Sequence, residues 1–179
     1  MNKICLWVLC CSLLWSCKQS HEVELYTPKP LKVYQKGEVK LASYDFDGLQ
    51  HFLKKENDTL YIINFWATWC KPCVEELPYF QAFYENNKSQ PIQMYLVNLD
   101  FPKMVETGVV SFIEKNKLTP PVLHLNDPDA NRWIPLVDEN WSGAIPATVI
   151  YKGTDRAFYE TSFTLSTLEE AVTKILQKS

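Results

Sequence analysis

Glycine is scarce in this chain, with 5 residues in 179, and proline is modest at 11. That excludes a collagen-like or low-complexity protein. No repeat recurs at solenoid or propeller spacing. No long block of like charge exists either: 18 basic and 21 acidic residues leave a net charge of −3. Such a balance has no general electrostatic pull on phosphate, so nucleic acid is not an expected partner. What is present, 46% hydrophobic and 22% charged residues, suits one globular domain with a real core.

The cysteines are not spread through the chain as a disulfide scaffold would place them. Cys5, Cys10, Cys11 and Cys17 lie in the first seventeen residues, and Cys70 and Cys73 stand alone far downstream. A membrane-length apolar run is also missing. Ile4–Trp15 carries no charge but is twelve residues long, short of the roughly 20 a spanning helix needs and right for a signal-peptide core. It follows Lys3 and ends in Leu14-Trp15-Ser16-Cys17. That tetrad resembles the bacterial lipoprotein lipobox. The resemblance implies cleavage before Cys17 and lipidation of Cys17. The expected layout is a signal peptide at 1–16, a lipidated N-terminus and tether at 17–30, and a domain at 31–179. The expected location is the bacterial cell envelope, lipid-anchored and facing the periplasm. The other readings are an ordinary cleaved signal or an uncleaved anchor, with Cys17 incidental.

From Leu31 the hydrophobic pattern predicts strands at 31–34 and 39–42. Phe46, Leu49, Phe52 and Leu53 predict a helix over 45–56. Leu60–Trp66 is an almost unbroken apolar run, as in a strand buried on both faces. A helix follows from Cys70 to about Asn87, with Pro78 inside it as an expected kink. Further strands are expected at 92–99 and 122–125, and a helix around Val105–Ile113. A helix around 131–137 leads to a loop, and 147–151 with 156–161 reads as a hairpin about Gly153. Ser166 and Glu169 form a capping-box pattern before a final helix. Alternation of strands and helices predicts an α/β fold, a mixed central sheet with helices on both faces.

Cys70-Lys71-Pro72-Cys73 falls where the buried strand hands over to a helix. A cysteine at a helix N-terminus meets unpaired N–H groups that favour its thiolate, the nucleophilic form. Pro72 suits the first turn. Cys73 is near enough to close a small disulfide ring, so one thiol can attack and the other resolve. Structural zinc needs four ligands, and one pair with His21, His51 and His124 scattered elsewhere does not supply them. The two later histidines read as surface or half-buried side chains. A soft Cu(I) delivery or assembly protein using the same two sulfurs is the alternative class.

Trp66-Ala67-Thr68-Trp69-Cys70-Lys71-Pro72-Cys73 resembles the thioredoxin-family active site. Its continuation to Glu76-Leu77-Pro78 resembles the membrane-tethered TlpA/ResA-like branch, and Gly143–Thr148 resembles the family's cis-proline loop. The resemblance implies a thioredoxin-like fold and a thiol:disulfide oxidoreductase with Cys70 attacking and Cys73 resolving. It implies that Pro146 is cis and that Ile145 offers its backbone to a substrate. It also implies that Glu76 is a buried acid relaying the proton of Cys73. Asn64 matches the position of the acid in thioredoxins proper and cannot serve as a base. Trp69 is expected to cover the thiols and meet partners, Trp66 reads equally as core, and Trp133 and Trp141 receive no role. No metal and no cofactor beyond the cysteine pair is expected. Expected partners are protein thiols or disulfides, a membrane electron-donor protein, and the membrane through the lipid anchor; a monomer is expected. Lys71 favours the reduced form and Ile145, lacking a side-chain donor, opposes it, so the direction rests on the resemblance, which favours a reductant of the cytochrome c maturation type.

Overall fold

A computed structural model describes residues 28–178. Cys17, His21 and the expected signal peptide lie outside the described residues, as does all of the expected tether but Pro28–Pro30.

The architecture is organised by β3, Leu60–Trp66, whose seven residues are all buried. Alternation along it feeds two cores. Leu60, Ile62 and Trp66 face one cluster, with Leu77, Phe80, Val109, Ile113, Leu168 and Val172. Tyr61, Ile63 and Phe65 face the other, with Phe46, Leu49, Trp133, Val137 and Trp141. A strand with both faces covered needs no polar side, which is why its sequence reads as a continuous apolar run.

β3 pairs in parallel with β4 (Ile92–Asn98) and antiparallel with β6 (Ala147–Lys152). β5 (Val122–Leu125) joins β4 to β2 (Val39–Tyr44) through parallel ladders. β1 (Lys32–Lys36) and β7 (Asp155–Tyr159) close the edges antiparallel. The sheet order is β1-β2-β5-β4-β3-β6-β7. α2 (Lys71–Asn86) and α6 (Leu165–Leu176) cover the first face together with a π-helical turn at Val105–Val109 and α4 (Val110–Asn116), while α3 (Pro102–Met104), exposed throughout, leads into that turn. α1 (Phe46–Leu49) and α5 (Ala130–Val137) cover the other. The mixed sheet flanked by helices is the expected fold class.

Three local expectations differ. The helix expected over 45–56 is only α1 and a 3-10 turn at Gln50–Phe52. Its apolar residues Phe46, Leu49 and Phe52 are three apart, the period of the tighter helix. The capping box of α6 uses Thr164 and Thr167, not Ser166 and Glu169. Thr164 Oγ1 accepts the Thr167 N–H at 3.3 Å, and Thr167 Oγ1 accepts the Thr164 N–H at 2.9 Å. His124 is fully buried rather than at the surface or half-buried, because its two ring nitrogens both find partners inside. α2 continues through Pro78.

Candidate active site

Two strand ends bring the site together. β3 runs out at Trp66, and the chain turns over Ala67–Cys70, closed by the Cys70 N–H on the Ala67 carbonyl at 3.1 Å. Phe65 stands opposite Ala147 on the antiparallel neighbour, so the loop before β6 arrives beside that turn. The Ile145–Pro146 peptide in this loop is cis, and the Ile145 carbonyl lies 3.6 Å from Cys70 Sγ. The sulfur carries no hydrogen in the disulfide; once reduced, its S–H can donate to that carbonyl.

Cys70 and Cys73 are joined as a disulfide, Sγ to Sγ 2.04 Å. Cys70 is the N-cap of α2, with its sulfur accepting the Cys73 N–H at 3.3 Å. A thiolate there would face that N–H and the positive end of a sixteen-residue helix, which favours the charged form. Cys70 is 6% exposed and Cys73 fully buried. The accessible sulfur is therefore the first of the pair. Pro72 sits in the first turn, where its missing N–H has no helical partner to lose. Lys71 is exposed, and its ammonium lies 3.7 Å from exposed Glu75, so its field at the sulfur is shared and screened.

Glu76 is 1% exposed, one helical turn beyond Cys73 on the same face. Asn64 Nδ2 on β3 donates to its Oε1 at 2.8 Å, and the Phe163 N–H donates to its Oε2 at 2.8 Å. Burial nevertheless wins over both donors and pushes the carboxyl up to about 7. Asn64 also donates to Thr148 Oγ1 at 3.1 Å. An acid that exchanges its proton near neutrality, one helical turn from a buried cysteine, has the pKa needed to take and return the proton that disulfide chemistry moves.

Trp69 stands at the rim, 62% exposed, while Trp66 is fully buried core. Trp141, unassigned from sequence, is buried and has a role in holding the proline loop. Its Nε1–H donates to the Ala144 carbonyl at 2.8 Å. Glu160 holds the same loop from outside, accepting the Ala144 N–H at 3.1 Å, the Ser142 N–H at 3.2 Å and the Ser142 hydroxyl. The Glu160 contacts have no local sequence signal, since both partners lie sixteen or more residues away. Among the described residues no group of three or more His, Cys, Asp or Glu could hold a metal. His51 is half-buried, its Nε2 2.6 Å from Lys55 Nζ.

Residues 35–155 match the AhpC/TSA family. The chain belongs to that family. Among its curated relatives, sporulation thiol-disulfide oxidoreductase A of Bacillus subtilis (strain 168) is 42% identical over 62 residues, 35% of this chain and 38% of the relative. Thiol-disulfide oxidoreductase ResA of Geobacillus kaustophilus (strain HTA426) is 37% identical over 79 residues, 44% of each chain. The chain thus spans less than half the length of the curated relatives it matches. Among solved structures, StoA from Bacillus subtilis superposes with a TM-score of 0.51 at 26% identity, over 66% of this chain and 84% of that one. A thioredoxin-related protein from Neisseria meningitidis serogroup B reaches 0.58 at 22% identity, over 68% and 87%. These likenesses place the family member in a thioredoxin-like fold.

Proposed function

We propose that this protein is a thiol–disulfide oxidoreductase whose working pair is Cys70 and Cys73. The observation that carries the reading is the disulfide at the N-terminus of α2, with the first sulfur the more accessible, the second fully buried, and a carboxyl poised near neutrality one helical turn further on. In the reducing direction the Cys70 thiolate attacks one sulfur of a partner disulfide. That bond breaks, the partner's other sulfur leaves as thiolate, and a mixed disulfide remains. Cys73 gives its proton to Glu76, attacks Cys70 Sγ and releases the partner's second thiolate. Two electrons pass to the partner, and Cys70–Cys73 is left oxidised. The reverse sequence oxidises a dithiol.

The N-terminal tetrad ending at Cys17 supports a place outside the cytoplasm. The fuller proposal is a lipid-anchored envelope protein of domain 31–179, facing the periplasm. There it acts as a monomeric reductant of protein disulfides, for example in cytochrome c maturation, re-reduced by a membrane electron-donor protein. Trp69 and the half-buried Ile145, its backbone set by the buried cis-Pro146, form the surface that a partner's cystine segment meets.

Trapping tests it. Cys73→Ala should accumulate mixed disulfides through Cys70 in the native envelope, and Cys70→Ala/Cys73→Ala should accumulate none. Equal trapping by both variants would remove the mechanism. Tight one-to-one Cu(I) binding with no disulfide exchange would replace it with the copper-delivery reading.

A further inference from the structure

The turn that delivers Cys70 is gripped from inside by a polar chain crossing the sheet. Ser43, His124, Asn98 and Trp66 stand in register on β2, β5, β4 and β3. His124 Nδ1 lies 2.8 Å from Ser43 Oγ, and Nε2 lies 2.9 Å from the Asp100 carbonyl oxygen. A carbonyl only accepts, so Nε2 carries the hydrogen and Nδ1 accepts from the Ser43 hydroxyl. Burial lowers the imidazole below its ordinary range, in keeping with a neutral ring. This arrangement holds the Asp100 backbone in place.

The Asp100 side chain then reaches the turn. Asp100 is 2% exposed. Its carboxylate accepts Asn98 Nδ2–H at 2.7 Å, the Thr68 N–H at 2.8 Å and the Thr68 hydroxyl at 2.5 Å. Thr68 is the second residue of the Ala67–Cys70 turn. Fixing it at both its backbone nitrogen and its Oγ1 fixes the turn's orientation. Trp69 then faces solvent, and Cys70 enters α2 with its sulfur on the Cys73 N–H. A buried carboxylate is costly unless its oxygens are satisfied, and two of the three donors here come from one residue of this turn.

We infer that Asp100 and Thr68 are positioning residues for Cys70, acting through the turn to keep the sulfur on the helix N-terminus and so to hold its thiolate population high. The inference rests on Cys70 being the exchanging thiol. It concerns geometry, not the Asp100 charge, which by itself would oppose a thiolate. The titratable groups within a few residues of the turn and its contacts are Lys71, Cys73, Glu75 and Glu76 of α2, Asp100 after β4, Lys103 of α3 and His124 of β5, with Glu160 at the proline loop. Thr68→Val changes none of them and removes only the hydroxyl bond.

The test is the pH profile of Cys70 alkylation in the reduced full chain, read at that residue by peptide mass spectrometry, with glutathione equilibrium of the pair measured alongside. Thr68→Val should move the profile to higher pH and slow alkylation below the midpoint about two- to fivefold, the size of a helix-terminus contribution. It should also favour the disulfide in the glutathione equilibrium. Thr68→Ser should restore both. Asp100→Asn, which keeps the size but sets an amide donor against the donors it faces, should move the profile the same way as Thr68→Val. Unchanged profiles in Thr68→Val, with only a lower unfolding temperature, would make the contact merely structural and overturn the inference. A shift to lower pH in Asp100→Asn with none in Thr68→Val would overturn it in favour of charge alone. Should the wild-type pair fail to exchange with glutathione, the reading of Cys70 itself falls, an outcome distinct from both.

Discussion

Two glutamates belong to the site, one on the buried face of α2 and one on the rim of the proline loop, and their surroundings drive them in opposite directions. Glu76 receives two N–H donors yet sits at about 7. Glu160 receives three donors and is held below its ordinary range, with the Ser142 hydroxyl bond as the largest cause. If the donor count decided, the two would differ little. Water decides: Glu160 is exposed and Glu76 is 1% exposed, and desolvation of the buried carboxylate outweighs the bonds it accepts. The fold therefore leaves one carboxyl poised to titrate near neutrality and holds the other as a fixed anionic clasp. Both sit on loops or helices whose positions β3 and β6 set.

The largest expected effect that could break this contrast is in Glu76→Gln. A folded-state value raised from 4.5 to about 7 means that the native protein holds the proton more tightly than the unfolded chain. The stabilisation is complete below the unfolded value and is lost as pH rises through the folded one. Urea unfolding of the oxidised wild type should show stability falling by about 3 kcal/mol across that window. The glutamine variant should lack that fall. Parallel curves would mean that Glu76 does not titrate there.

Asn64→Leu sharpens the same side. It removes the donor on Oε1 and should cost about 1–3 kcal/mol, while moving the Glu76 titration further up, since that bond lowers it. Unfolding across the same pH series reads both changes. Trp141→Phe tests the rim from its buried side. The ring contact with Phe65, 4.9 Å between centroids, is retained in kind and the bond to the Ala144 carbonyl is lost, for an expected loss of about 1 kcal/mol in urea. Glu160→Gln should have the smallest effect, of opposite slope. A depressed carboxyl stabilises the fold above its unfolded value and loses that contribution as pH falls through the folded one. The wild type and the variant should therefore differ at neutral pH and converge in acid.

Much of this was legible in the residues. The apolar run at 60–66 announces the central strand because a two-sided strand has no polar face to interrupt it. Cys70 announces the helix start because the next residues, Lys71-Pro72-Cys73, fit a first turn. Burial of Glu76 came from resemblance, and its helical neighbour Glu75 shows why pattern alone could not tell them apart: adjacent positions on one helix differ only in which way they face. The relay through Ser43, His124 and Asp100 was invisible because its members are 81 and 24 residues apart in sequence, and register between strands brings them together. Glu160 escaped for the same reason, its partners lying 16 and 18 residues away; Trp141 bonds Ala144 only three residues on, inside a segment with no clear periodicity. The 45–56 segment misled because apolar residues three apart serve an α-helix or a 3-10 turn equally well over so short a stretch.

The central claim is that Cys70 and Cys73 interconvert as a two-electron pair. Equilibrating the protein across glutathione ratios, quenching with alkylating agent and resolving both cysteines by mass spectrometry measures this directly. Both thiols should become protected together along one transition, whose ratio of dithiol to disulfide changes tenfold for about 30 mV. Thiols that are alkylated independently of one another, with no ratio at which they join, would contradict the account.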